Sequence, residues 1–328
     1  MNLLVISNNP DRASFRQRMG VYLDTLRASG IDCEVAKLPA GTLARRKLFR
    51  HAAEFDRVFL HKKCLNYFDT FSLRKFSTKI IYDFDDAVMY DDKNPEKPDR
   101  KRQNSFQRTV RLAAMVIAGN AYLAEHARKY SENVEVLPTG LDTAAYKLRA
   151  LPENEGRIRL VWIGSKSTLS YLVETKPALE KIGSRFSNVV LRIICDAFFD
   201  LQNMEVEKCR WSSQRQVVDL VTSDIGLAPL PDNRFTRGKC GFKVLQYAAA
   251  GLPVVASSVG ANAEYVQNGI AGFLARSTAE WTDRITQLVT DSQLRKKMGQ
   301  QAKSRVCEFD VELLGTRLVN LILKSSNA

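Results

Sequence analysis

The chain has 328 residues, 45% hydrophobic and 26% charged, enough for two packed cores and without the bias of a disordered or fibrous protein. Its formal net charge of +13 suits nucleic acid, an anionic membrane or a phosphorylated substrate. No nucleic-acid-binding motif accompanies the charge, so solvated surface and an anionic membrane contact are the two readings carried forward.

The N-terminal apolar run is only about five residues long, short of the roughly 7–15 of a signal-peptide core. It reads as a first strand, Leu3–Ser7, followed by a helix near Arg16–Ser29. A basic stretch, Arg45-Arg46-Lys47-Leu48-Phe49-Arg50, precedes the strand Arg57–His61. Lys79–Asp83 is a third strand, and a second basic stretch runs from Arg100 to Arg102. Strand Ala114–Ala118, helix Ala121–Tyr130 and strand Val134–Leu137 complete the first series, whose alternation indicates a parallel sheet with crossover helices. Leu141–Arg157 is polar, carries Pro152 to Gly156, and reads as an interdomain linker.

A second series then begins. Arg159–Ile163, Val189–Cys195, Ile225–Ala228 and Pro253–Ser257 are strands, and Val217–Thr222 is helical. Lys243–Ala250 is a helix that ends at Gly251, a common C-cap residue, and a turn is expected at Gly260. Helical periodicity returns over Ala279–Thr290, Ser292–Arg305 and Val311–Lys324. The α/β pattern therefore predicts two Rossmann-like, doubly wound domains facing a central cleft, with ligands at the carboxyl ends of the strands. No apolar stretch approaches the roughly 18 residues of a membrane span. Six scattered cysteines without a C-x-x-C pair fit a reduced, cytoplasmic protein, and three histidines lack metal-ligand spacing.

Four constellations have the residue types for chemistry. From Arg237 to Ser257, a glycine-bearing basic loop feeds the start of a helix, where amide groups and the helix dipole favour an anion such as a diphosphate. Lys239 and Lys243 add charge there; the competing reading is a plain helix–strand unit with solvated lysines. The loop Gly164-Ser165-Lys166-Ser167-Thr168 offers hydroxyls and an ammonium to phosphate oxygens, or is a structural turn. Asp83-Phe84-Asp85-Asp86 follows a strand; Asp85 and Asp86 are candidate hydrogen-bond acceptors for sugar hydroxyls or a base, or caps of the next helix. Ser14-Phe15-Arg16-Gln17-Arg18 brings Arg16 and Arg18 to the first helix, as phosphate contacts or as surface charge. The isolated Trp211 is read as core packing rather than as a platform for a nucleotide base.

The Arg237–Ser257 segment and its continuation, Val259-Gly260-Ala261-Asn262-Ala263-Glu264, then Asn268-Gly269 and Gly272-Phe273-Leu274, resemble the donor-site region of retaining GT-B glycosyltransferases of the family-four type. The resemblance extends in order through Ala118-Gly119-Asn120, Val136 to Asp142, Trp162 to Ser165 and Asp224 to Leu230, and so covers most of the chain. It implies an acceptor domain over 1–150, a donor domain over 151–305, and a C-terminal helix, 306–328, returning to the first domain. It also implies transfer of a hexose, with retention, from a UDP- or GDP-type nucleotide sugar to a glycan or lipid-linked acceptor, in polysaccharide or glycolipid synthesis. No metal or other cofactor and no nucleic acid are expected; the location implied is cytoplasmic, at the inner face of the membrane. The donor contacts it implies are Gly164, Ser165, Lys166, Lys239, Cys240, Gly241, Phe242, Lys243 and Gln246; Arg16 and Arg18 fall to the acceptor, and Asp85, Asp86 and Lys243 to catalysis. The family's two glutamates, eight positions apart, are replaced here by Gly238 and Gln246. That departure keeps open a non-catalytic nucleotide-sugar-binding homologue, beside a GT-B sugar-nucleotide epimerase.

Overall fold

The structure is a computed structural model that describes residues 1–146 and 156–324, so residues 147–155 of the expected linker lie outside it. The chain divides into two compact units, each built on a parallel six-stranded sheet. The first comprises Met1–Gly140, Asn233–Cys240 and the chain from Phe309 onward; the second comprises Leu141–Asp232 and Gly241–Glu308.

The first sheet contains β1 (Asn2–Ser7), β2 (Asp32–Lys37), β3 (Arg57–His61), β4 (Ile80–Phe84), β5 (Met115–Ala118) and β6 (Val134–Val136), in the order β2-β1-β3-β4-β5-β6. Every residue of β3, β4 and β5 is buried, as expected for strands covered by helices on both faces. One face packs Leu4, Ile6, Val58, Leu60, Tyr82 and Phe84. The other packs Leu3, Val5, Phe59 and Ile81 with Leu314, Leu318 and Ile322 of the C-terminal helix Val311–Lys324. That helix is therefore part of the first unit's core. The expected helix over Arg16–Ser29 is broken into Ala13–Arg18, a turn at Gly20–Tyr22, and Leu23–Ala28. Met19, at φ −131°, interrupts it, and Arg18 and Tyr22 on either side are both buried.

The second sheet contains β7 (Ile158–Ile163), β8 (Val189–Cys195), β9 (Glu205–Arg210), β10 (Ile225–Ala228), β11 (Val254–Ser257) and β12 (Gly272–Ala275), in the order β12-β11-β10-β7-β8-β9. Strand order reverses between β7 and β10 here and between β1 and β3 in the first unit, the points where such sheets bind ligands. At Gly260 the expected turn is a helix, Gly260–Val266. Among the described residues no helix is long and apolar enough to cross a membrane.

Candidate active site

In the first unit, charged side chains gather at the carboxyl ends of β3 and β4. Arg18 is 3% exposed; its Nε and Nη2 donate to Asp83 Oδ1, the latter at 2.7 Å, and its Nη1 donates to the Leu137 carbonyl at 2.6 Å. His61 Nδ1–H donates to Asp83 Oδ2 at 3.0 Å. Burial alone would raise the Asp83 pKa, but Arg18 and His61 outweigh it and hold the carboxyl below its ordinary value. Arg18 is thus a buried strut rather than a surface contact for an acceptor. Arg16 is exposed and donates to the carbonyl of Asp11.

One step outward, Lys62 bridges two carboxylates, lying 3.1 Å from Asp85 Oδ1 and hydrogen-bonded to Asp86 Oδ2. Its backbone is left-handed, φ 60°, which is uncommon for a residue with a side chain and recurs where function constrains the chain. Burial disfavours the Lys62 ammonium, yet Asp85 and Asp86 outweigh that and raise its pKa. Burial likewise pushes Asp85 up, and Lys62 and Arg18 bring it below the ordinary carboxylate range. Neither Asp85 nor Asp86 caps the next helix: Asp99 does so for Arg100–Leu112, accepting from the Arg102 amide.

Asp86 has a second cation. Lys239 Nζ lies 3.1 Å from its Oδ1 and 4.6 Å from the centre of the Phe235 ring. Lys239 is therefore committed to a carboxylate. The sequence reading puts Asn233–Cys240 in the donor domain, whereas its contacts group it with the first unit. Asn233 accepts from the amides of Phe235 and Thr236, Asn120 Nδ2 donates to the carbonyls of Gly238 and Lys239 at 3.2 and 3.3 Å, and Tyr122 donates to the Arg234 carbonyl. Gly238 is buried against Ala87 and Leu123, and a Cβ there would stand 2.8 and 2.9 Å from them. Cys240, half-buried, ends the segment.

In the second unit the helix Phe242–Ala249 stands at the β7/β10 switch. Gly241, at φ 65°, is its N-cap; no side chain caps it and no acidic residue lies in its first turn. A Cβ on Gly241 would also meet the Tyr265 ring at 2.8 Å. Phe242 is half-buried and Lys243 Nζ lies 5.5 Å from the centre of the Trp162 ring, over β7. The helix is pinned to both switch strands by Tyr247, whose hydroxyl accepts from Ile163 N at 3.1 Å and donates to the Leu227 carbonyl at 3.0 Å. Gln246 is 6% exposed and donates to the Tyr146 hydroxyl at 3.3 Å; burial raises the Tyr146 pKa to about 12.

After β7, Gly164 packs on Trp162, where a Cβ would come within 2.4 Å of the ring. Ser165 and Thr168 form a capping box, and Lys166 is exposed in the turn Lys166–Thr168. Trp211 is not core: it is 38% exposed, and its indole N–H donates to Gln216. The structure thus gathers Asp85 and Asp86 with Lys239 in the first unit, and in the second sets Gly241 and Lys243 at one helix terminus with Gln246 further along the same helix. Lys62, Tyr146 and Tyr247 were not singled out by sequence. No group of three His, Cys, Asp or Glu side chains suited to a metal occurs among the described residues.

Residues 157–291 match the model of the family glycosyl transferases group 1. That match spans most of the second unit together with the segment Asn233–Cys240. Within 118 residues the chain is 30% identical to the D-inositol 3-phosphate glycosyltransferase of Corynebacterium aurimucosum, a match that covers 34% of this chain and only 27% of that protein. Solved structures resemble the chain along its whole length. A glycosyltransferase from Rickettsia africae has a TM-score of 0.77 at 15% identity, covering 100% of this chain and 99% of its own. Anabaena Alr3699/HepE, in complex with UDP-glucose, has a TM-score of 0.72 at 16% identity, covering 99% and 100%. The fold of this chain is thus GT-B, as the sequence resemblance implies.

Proposed function

We propose that this group 1 glycosyltransferase moves a hexose from a UDP- or GDP-type nucleotide sugar to a glycan or lipid-linked acceptor, with retention, in the synthesis of cell-surface polysaccharide or glycolipid. The reading rests on the uncapped terminus of Phe242–Ala249 at the β7/β10 switch. A nucleotide diphosphate leaving group gains negative charge in the transition state, and amides with Lys243 at a helix N-terminus stabilise that charge in place. The UDP-glucose bound in the Anabaena relative favours a UDP-type donor. Gly164, Ser165 and Lys166 fall to the far side of the diphosphate, and Gln246, oriented by Tyr146, to the ribose hydroxyls.

Asp85 and Asp86 take the acceptor side as hydrogen-bond acceptors. A carboxylate held below its ordinary pKa is a poor proton abstractor at neutral pH, so Asp85 is assigned to positioning hydroxyls rather than to general-base work. Charge at the leaving group is handled by Lys243 and backbone amides, so the scheme uses no metal.

Lys243→Ala removes the charge while leaving the helix intact, and UDP affinity should fall about 10-fold or more, the order expected for a lost charge-assisted contact. Titration calorimetry measures it, and unchanged affinity would sink the donor-site assignment. A non-catalytic homologue is the second reading, favoured by the packing that keeps a carboxylate out of position 238. Turnover of any nucleotide sugar in a donor-hydrolysis and transfer panel excludes it; tight nucleotide binding without turnover supports it.

A further inference from the structure

Two helices of the first unit, Thr42–His51 and Tyr67–Phe76, pack side by side. Leu43, Arg46, Lys47 and Arg50 follow i, i+3, i+4, i+7 spacing and share one face of the first helix. Phe68, Phe71 and Lys75 share one face of the second by the same rule, and both faces line a single groove. These helices bury other residues, Phe49 and Leu73, in the unit's core. Their outward faces therefore carry large apolar side chains among basic ones, where a solvated helix is ordinarily polar throughout. Leu43 is 80% exposed, Phe68 76%, Phe71 70% and the adjoining Tyr67 66%, the four most exposed large hydrophobic side chains described.

The charge around them has one sign. Arg46, Lys47, Arg50 and Lys75 line the groove, and its one carboxylate, Asp69, is 4% exposed and paired with Arg45 at 2.6 Å. Protruding aromatic and aliphatic side chains ringed by lysine and arginine are the chemistry of an interfacial contact: the rings enter the headgroup layer and the cations meet lipid phosphates. We propose that this face docks the chain onto an anionic lipid surface.

Co-sedimentation of the full chain with vesicles tests it, using pure phosphatidylcholine and phosphatidylcholine with a quarter phosphatidylglycerol. Wild type should bind the anionic vesicles and leave the neutral ones, and added salt should weaken the binding. The triple variant Arg46→Ala/Lys47→Ala/Arg50→Ala should need about tenfold more lipid for half-saturation, as should Phe68→Ser/Phe71→Ser. All five positions are on the surface, so melting temperature and UDP affinity should stay at the wild-type values; a folded variant that binds anionic vesicles like wild type overturns the proposal. Equal binding to both vesicles also overturns it. So does a lipid-independent dimer that Phe68→Ser/Phe71→Ser dissolves, seen by sedimentation velocity without vesicle binding. The proposal stands apart from the donor site, and its failure leaves that assignment untouched.

Discussion

Gly238 occupies a position with room for a hydrogen atom and little else. Its backbone is outside the left-handed region, so space rather than torsion selects glycine: a Cβ would press on Ala87 and Leu123 at under 3 Å. The family's carboxylate at this position is therefore excluded by packing, and its absence is matched by neighbours that have other work. Lys239 is held by Asp86, and Gln246 by Tyr146. Restoring the carboxylate should fail: Gly238→Glu forces an overpacked contact, which costs about 1–3 kcal/mol, and should lower the melting temperature without raising transfer. A variant of unchanged melting temperature and higher turnover would show that the loop has room. Gly241, Lys243 and the Asp85-Asp86 pair were legible in the sequence, because a glycine-led helix start and carboxylates after a strand are local patterns. Lys62, Tyr146 and Tyr247 were not: each acts through a partner 24 to 100 positions away, or through strands brought together only by folding.

At the scale of elements, the central strands and the edge strand β6 were readable, and the edge strands β2, β9 and β12 were not. β3, β4 and β8 are buried at every residue and appear as apolar runs. β2 (Asp-Cys-Glu-Val-Ala-Lys) and β9 (Glu-Val-Glu-Lys-Cys-Arg) lie at sheet edges, where one flank meets solvent and charges are admitted. The segment Asn233–Cys240 carries a related lesson. Its sequence neighbours belong to the second unit, but Asn120 binds its carbonyls while also capping the helix Ala121–Arg128 through the Leu123 amide at 2.9 Å. One side chain thus fixes two elements, a coupling no local pattern displays. Asn120→Ala removes the cap, for about 1 kcal/mol, and releases the segment at the same time. Trypsin should then cut faster after Arg234, Arg237 and Lys239, read by mass spectrometry against sites elsewhere in the chain. Cleavage at the wild-type rate would mean that Gly238 packing and the Arg234–Glu96 pair, at 3.2 Å, hold the segment unaided.

Across the whole molecule, buried charge is unevenly divided between the units, and pH reads the difference. The first unit buries Asp83 and Asp85, 2% and 6% exposed, both held below the ordinary carboxylate pKa by Arg18, His61 and Lys62. In the second, Glu207 is depressed in the same direction by Arg192 and Arg159, but its side chain is 17% exposed, so solvent screens more of that interaction. A depressed carboxylate binds its proton more readily in the unfolded chain. The stability it adds is therefore complete above about pH 5, beyond the unfolded value near 4, and drains as the pH falls toward the lower folded value. Lys62 is raised instead, so its contribution is complete below about pH 10 and is lost only as the pH climbs past the unfolded lysine value toward the folded one. Below about pH 4 the first unit's stability should fall faster than the second's. All three tryptophans, Trp162, Trp211 and Trp281, lie in the second unit, so indole emission follows that unit while far-ultraviolet dichroism follows both. Thermal scans near pH 3.5 should lose dichroism at a lower temperature than the emission shifts, with Asp85→Asn narrowing the gap relative to neutral pH. Coincident transitions at every pH would show that the buried carboxylates do not set the acid limit.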